Sequence, residues 1–424
     1  MEGKVKKIPI LLTLWLFFCF SQLTVLANNA EQLGFLSLFD EICSTIEENF
    51  YDPVVIEQDF PSLKELYRKR LPRVLNKVEF SGLVNEMLGE LKTSHTRYLT
   101  PADTNYFHLG AIFFRIPKIG KAFHGKPITY PSIGIITENL GSKTFISCIL
   151  AGSPAEKGGL LRGDEILSAD RKPFSPVKSL ETSVGKEVRF EVKRSIDKAP
   201  QTIYITPALV SPKKEMLEAE VASIRIFEEE EVKVGYIHIY SYTGEEYHNA
   251  LIENISWGKL KEADALIIDL RYGLGGANPS YLNMFNKEIP KITATQRTGQ
   301  RRIMDSQWRK PAVYLTNRRT TSGKEILAFG AKKYGLATVI GEKTAGAVTG
   351  GALFPLSNGD LLYLAVEKAE IDGEVLEGVG VEPDILVPSN LPYSAGKDDQ
   401  IKRSIEFLVK KIMAVNGKKL KQEN

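Results

Sequence analysis

The feature that most constrains this 424-residue chain is a series of short, largely apolar runs between residues 233 and 342, separated by stretches of helical periodicity. "VGYIHIYSY", "ALIIDLR", "AVYLTN" and "ATVIGEKT" do not show the strict in-out alternation of a strand with one wet face. Strands of this kind are buried on both faces, which calls for a largely parallel sheet with helices packed above and below it. Helical stretches occur where that arrangement needs them, near 246–256, in "NPSYLNMF" and over 322–334. From about residue 209 the chain therefore reads as an α/β core. A hairpin-like stretch at 351–372 and the amphipathic helix "DDQIKRSIEFLVKKI" follow.

Two other patterns precede this core, and the length is in keeping with two or three domains. In 34–112, "LGFLSLFDEICSTIEENFYD" and "FSGLVNEMLGELKTSHTRYLTP" place apolar residues three and four apart, so helices are expected and strands are not. From 113 to 208 the runs "SIGIITEN", "TFISCIL", "EILSAD", "EVRFEVKRS" and "TIYITPAL" are β-rich and separated by Gly, Pro, Asp and Lys. The start of the chain has the form of a secretory signal peptide. A basic "MEGKVKK" is followed by the apolar "IPILLTLWLFFCF", with Val25 and Ala27 at the small-residue positions before a cut. Residues 1–27 are expected to be removed and the protein exported to the periplasm or cell exterior. Cys19 does not sit in a lipoprotein box, so no membrane anchor is expected after cleavage.

A net charge of +3 with 25% charged residues gives no basic surface for nucleic acid or an anionic membrane as the main partner. No Cys/His cluster has zinc spacing and no glycine-rich lysine loop suggests a nucleotide, so no cofactor is expected. Cys43 and Cys148 are too few and too far apart for a disulfide framework and are read as buried, unpaired thiols.

Chemistry concentrates around "TTSGKEILAFG", residues 320–330. Ser322 and Glu325 fit the S-x-x-E capping box of a helix start. The same position suits a nucleophile, because the free N–H groups of the first helical turn lie beside it. In "LIIDLRYGLGG" a strand runs into Gly275-Gly276, where the absence of Cβ atoms lets backbone N–H groups approach a ligand. One of these with the N–H of Gly323 makes a two-donor oxyanion hole.

Further motifs carry a resemblance. Pro154-Ala155-Glu156-Lys157, Gly159-Leu160, Gly163-Asp164 and Ile166-Leu167 resemble the central segment of a PDZ domain. Ser132, Ile133, Gly134 and Ile135 are similar to the loop and strand with which such a domain grips a peptide C-terminus. With the glycine-rich "GEKTAGAVTGG" and "LEGVGVEPDI", the chain from about 34 to 412 resembles the C-terminal processing, or tail-specific, serine protease family, which includes the tricorn protease core. With the signal peptide read at 1–27, the resemblance implies a helical N-terminal domain at 28–112, a PDZ β-barrel at 113–208 and a crotonase-like α/β serine protease core at 209–424. It implies protein or peptide substrates with free C-termini and makes Ser322 the nucleophile.

The usual lysine base of the family's Ser/Lys branch is missing, since Ala347 stands at its position in the glycine-rich loop. The tricorn-like branch uses a histidine in an "SHT"-like setting and a glutamate in an "E-x-x-G-V-x-P-D"-like segment. Here Ser94-His95-Thr96 and Glu377 to Asp384 match, and "SAGKDDQI" resembles the segment that follows. By this resemblance His95 is general base then general acid, and Glu377 orients the site. Two alternatives stand beside it: a Ser/Lys protease using Lys343, and a PDZ-containing binding protein without catalysis. His108, His124, His238 and His248 carry no motif and are read as surface or structural; Arg271 is read as an anchor of the glycine loop.

Overall fold

The computed structural model describes residues 33–422, with side chains as far as residue 415. The expected signal peptide lies outside the described residues. The chain divides into two compact units. One comprises residues up to 100 together with 351–368, and the other comprises 101–350 and 369–424. Among the described residues no helix is long and apolar enough to cross a membrane.

The first unit contains α1 (33–49), α2 (Pro53–Gln58), α3 (Phe60–Arg68), α4 (Lys77–Gly89) and the strand β1 (Arg97–Leu99). In chain order its other two strands are β16 (Gly350–Pro355) and β17 (Leu361–Glu367). Asp52 and Asn76 start α2 and α4 by accepting the free N–H groups of the first turn. Phe39, Ile42, Ile46, Phe60, Phe80 and Met87 share one core with Tyr98, Leu362 and Leu364. The sheet order is β1-β17-β16, with Tyr98 opposite Leu362. This corrects the expectation of helices alone before residue 112. A three-residue strand shows no periodicity, and its partner lies far along the chain. Residues 351–368, expected with the α/β core, cluster with these helices instead.

The second unit begins with α5 (Thr104–Phe113) and α6 (Pro117–Ala122). β2 (Tyr130–Ser132) pairs with β8 (Ala208–Val210). Between them, β3 (Ile135–Leu140), β4 (Lys143–Ile149), β5 (Glu165–Ala169), β6 (Val188–Lys193) and β7 (Gln201–Ile205) form an antiparallel sheet in that order, with α7 (Pro154–Lys157) between β4 and β5. Ile133, Ile146, Leu160, Val188 and Phe190 fill its core. β3 is an edge strand.

After α8 (Pro212–Ser223) come β9 (Arg225–Glu229), β10 (Val232–His238), α9 (Glu245–Ser256) and β11 (Ala265–Asp269). The hairpin β12 (Ile292–Thr295) and β13 (Arg301–Met304) precedes β14 (Ala312–Thr316), α10 (Gly323–Lys333) and β15 (Thr338–Gly341). β18 (Ile385–Leu386) and α11 (Asp399–Gln422) end the unit. The large sheet runs β18-β15-β14-β11-β10-β9 and is parallel except at β9. All five residues of β11 and of β14 are buried. On one face Ile237, Leu266, Ile268 and Val339 pack with Leu251, Ile255 and Leu327 of α9 and α10. On the other, Val234, Ile267, Val313 and Ile340 pack with Ile405, Leu408 and Val409 of α11. Each such aliphatic side chain contributes roughly 1.5–3 kcal/mol by leaving water, which is why these runs carry no polar alternation. Loops leaving the carboxyl ends of β10, β11 and β14 supply the usual ligand position of an open α/β sheet.

Candidate active site

Ser322 is the N-cap of α10 and lies on a sharp turn after β14. Its backbone has φ +58° and ψ −133°, a region that costs a non-glycine residue about 1–3 kcal/mol. Three contacts hold it there. Its N–H is shared between the carbonyl of Ala347 at 2.8 Å and Glu325 Oε1 at 3.1 Å. The Glu325 N–H returns to the main-chain carbonyl of Ser322 at 2.8 Å. The glutamate half of the predicted capping pair is thus formed, while the Glu325 N–H goes to the serine's carbonyl rather than its hydroxyl, and these bonds fix the serine in a strained conformation rather than merely ending a helix.

Glu325 does more than cap. Its side chain is fully buried, and it also accepts the Ala347 N–H at 2.7 Å, the Gly346 N–H at 2.6 Å and the Thr344 hydroxyl at 2.5 Å. Burial pushes its carboxyl up, and these donors oppose the shift. Thr344 in turn receives the Val381 N–H at 2.7 Å, and the Gly378 N–H reaches the Gly346 carbonyl at 2.8 Å. Glu377 accepts the N–H groups of Val348 and Thr349 at 2.8 and 3.2 Å. The two loops that the sequence singled out, 342–351 and 376–385, are therefore laced together behind Ser322. Ala347 serves this lacing through its backbone.

The 271–277 loop closes the other side. A Cβ on Gly275 would fall 2.5 Å from the Ser322 Cβ and 3.0 Å from its Oγ, so only glycine fits. A Cβ on Gly323 would fall 2.3 Å from the Ala277 nitrogen. The Gly275 carbonyl accepts the Tyr242 N–H at 3.0 Å, and the Leu274 N–H donates to Tyr240 at 2.8 Å. Gly275 and Gly323 thus lie against Ser322 and Ala277, and Gly276 packs on Tyr242 and Thr243.

Below the loop, Arg271 is buried and binds Asp269 through Nε and Nη2, with Asp398 and Gln400 as further partners. Burial pushes Asp269 up, but the Arg271 charge beside it holds its carboxyl well below the usual range. The anchor reading of Arg271 fits this geometry, and the "SAGKDDQI" segment supplies its partners. His238 is buried, 2.8 Å from the Arg271 carbonyl and stacked on Tyr240, and burial pushes it down to about 4. It is a structural histidine.

His95 belongs to the other unit, with φ +56°. Its Nδ1 lies 2.8 Å from the Ser94 hydroxyl and its ring 5.3 Å from that of Tyr363. Lys343 sits on the surface, about half exposed, paired with Glu382 at 2.9 Å. Nothing around it provides the burial that makes a lysine a base.

Ser132 ends β2, and Ile133 and Gly134 lead into β3 at Ile135. The Ser132 hydroxyl accepts the Gly134 N–H at 2.9 Å and donates to Glu215 at 2.6 Å. A carboxylate arriving at this loop therefore has to displace a hydroxyl. A cavity of about 120 Å³ beside it is lined by Ile133, Ile135, Phe174 and Leu180, and also by Leu274 of the glycine loop. Arg319, three residues before Ser322, donates to the Thr137 carbonyl on β3 at 2.9 Å, and Arg318 pairs with Glu138. Cys43 and Cys148 are buried free thiols, each pushed up to about 12 by burial.

Sequence reasoning missed two ionisable groups, Lys324 and Glu220, both fully buried near this site. The only sign of Lys324 was a lysine placed in the first turn of a helix, where the macrodipole disfavours a cation.

Residues 233–387 match peptidase family S41, and residues 34–89 match the tricorn protease C1 domain. The carboxyl-terminal-processing protease of Synechocystis sp. is 25% identical over 380 residues, covering 83% of this chain and 84% of the relative. The tricorn protease of Thermoplasma volcanium is 24% identical over 427 residues, covering 91% of this chain and 37% of that protein. The crystal structure of the tricorn protease is similar with a TM-score of 0.55 at 20% identity, covering 90% of this chain and 37% of that one, a likeness of fold. Together these matches support a serine-type peptidase with a mixed α/β fold.

Proposed function

We propose that this chain is an exported serine endopeptidase that recognises protein C-termini and cleaves peptide bonds with Ser322. The observation that carries the reading is the strained Ser322 turn with Gly275 pressed against it. A hydroxyl held at a helix N-terminus, with glycine backbone on its open side, suits acyl transfer. Ser322 Oγ attacks the scissile carbonyl carbon, and its proton passes to His95. The Gly323 N–H and one from Gly275 or Gly276 stabilise the oxyanion. His95 then protonates the leaving amine, and water, deprotonated by the same histidine, releases the acyl group. Glu377 orients the site. The sheet from β3 to β7 acts as a PDZ domain, with a substrate C-terminus at Ser132–Ile135 and the peptide added along the edge of β3.

A second reading has one observation in its favour: Ala347 stands where the family's lysine would be. In it the chain tethers C-termini without cutting them. Cleavage of an unfolded protein with a free C-terminus by residues 28–424 separates the two. Ser322→Ala and His95→Ala should each lower kcat by at least about 10³ while leaving peptide binding intact. A wild type that binds C-terminal peptides without cleaving any protein, or full activity in Ser322→Ala, sinks the protease reading.

A further inference from the structure

We propose that Lys324 is a positioning residue, whose ammonium latches the Tyr272 carbonyl and so holds the glycine loop in register with Ser322. The inference rests on the protease reading for its kinetic consequence, and on geometry alone for the latch itself.

Lys324 follows the proposed nucleophile by two residues, yet its side chain has no exposed surface. Its Nζ donates to the Tyr272 carbonyl at 2.7 Å and to the Ile239 carbonyl at 2.6 Å. Both are short, charge-assisted bonds. Ile239 lies just beyond β10, and Tyr272 lies in the loop that leads to Gly275 and Gly276. The ammonium therefore ties the floor of the sheet to the proposed oxyanion loop from beneath α10.

Two physical costs make this placement unusual. A cation in the first turn of a helix opposes the macrodipole. Burial opposes the charge itself and pushes Lys324 down to about 7, although Asp269 and Glu220 pull the other way. Glu220, on α8, is fully buried and neither of its oxygens has a hydrogen-bond partner. Its carboxyl faces the same interior as the ammonium without pairing to it. A plain apolar side chain would avoid both costs if filling space were the only task.

What the lysine does is visible at Tyr272. That residue has φ +58°, a strained value for an aromatic side chain. Gly273, at φ +71°, follows it, so the peptide between them can rotate about Tyr272 ψ and Gly273 φ at little steric cost, which would turn the Tyr272 carbonyl away and shift the backbone of the next turn. The neighbouring bonds, Leu274 N–H to Tyr240 and Tyr242 N–H to Gly275, begin only beyond that peptide. Lys324 is the group that holds the peptide itself. A displacement of an oxyanion donor by a fraction of an ångström weakens transition-state binding and leaves ground-state binding of the peptide largely unaltered.

The test replaces Lys324 by Met, which fills the volume without donating, and by Gln, which keeps a neutral donor. Wild type and Ser322→Ala are assayed first, so that a failure of the protease reading is recognised before the lysine is judged. In an active enzyme, Lys324→Met is expected to lower kcat by about 10²–10³ with KM changed less than threefold. Labelling of Ser322 by a fluorophosphonate should slow in parallel, and Lys324→Gln should fall between. Crystal structures of the variants are read independently of activity, and a turned Tyr272–Gly273 peptide is the expected result. An unmoved loop, or a loss confined to KM, overturns the proposal. If Lys324→Met does not fold, Lys324→Leu, which also cannot donate, carries the same two readings.

Discussion

Two loops flank Ser322, and adjacent residues of one helix hold them by opposite means. Glu325 reaches the 344–347 loop as an anion and collects N–H and O–H donors. Lys324 reaches the 271–276 loop as a cation and donates to carbonyls. Both are fully buried. A carboxylate at the first turn of a helix is favoured by the macrodipole, and its donors are groups that folding would otherwise leave unpaired. The lysine has the dipole against it. The difference indicates a division of labour: the glutamate side is built for stability, and the lysine side is held at some cost to stability for the geometry of the loop.

The largest effect that tests this division is on folding. Glu325→Ala leaves Thr344, Gly346 and Ala347 facing a void and should destabilise the protein by about 3–5 kcal/mol in urea titration. Glu325→Gln, which keeps the shape but presents an amide to N–H donors, should cost about 1–3 kcal/mol. Lys324→Met should cost less than Glu325→Ala while taking more from kcat than from stability. The reverse order in either measurement breaks the comparison.

A smaller, pH-dependent effect separates the charges beneath the site. Burial pushes Glu220 up to about 9 from an ordinary 4.5, while the Lys324 charge opposes the shift. Between these values the folded state keeps a proton that the unfolded chain has lost, so this group makes stability fall as pH rises. Lys324, pushed down from 10.5 to about 7, acts in the opposite sense, making stability rise with pH between those values. From pH 5 to 7 Lys324 is protonated in both states and contributes little slope, while His108, His238 and His248, pushed down to about 4 by burial, make stability rise with pH and cancel when wild type is compared with a Glu220 variant. Glu220→Gln, which cannot lose a proton, should gain stability relative to wild type over that range, by at most about 1.4 kcal/mol per pH unit. A difference between the two proteins that does not change with pH would place Glu220 in contact with water or a partner charge.

Much of this architecture can be read from residue patterns because it depends on burial along one segment. The runs that became β11 and β14 are apolar throughout because both faces are covered. Ser322 and Glu325 were legible as a helix start, being three residues apart. Lys324 was not, because its partners stand 52 and 85 residues away and a lysine beside a glutamate ordinarily marks a solvated face. Arg271 could be assigned to the glycine loop by proximity, whereas its partners Asp398 and Gln400 arrive from the segment that begins α11. The strand β1 escaped notice for the same reason, its pairing being long-range. The strain at Ser322 and Tyr272 has no signature in residue type, since neither position holds a glycine.

The smallest expected effect sharpens the contrast between two lysines. Lys343, in the glycine-rich segment, was the alternative base on sequence grounds. Its side chain is 48% exposed and its partner Glu382 is 64% exposed. An ion pair so open to solvent contributes on the order of 0–1 kcal/mol, and less as salt is added. A lysine becomes a base by losing its charge in a low-dielectric site, and the surroundings of Lys343 do not provide one. Lys343→Ala should therefore change stability by about 0.5 kcal/mol or less and kcat by less than twofold. Lys324→Met, two residues rather than twenty-one from the serine, should be the damaging substitution. A collapse of kcat in Lys343→Ala with KM and stability intact would return the proton-transfer role to Lys343 and remove it from His95.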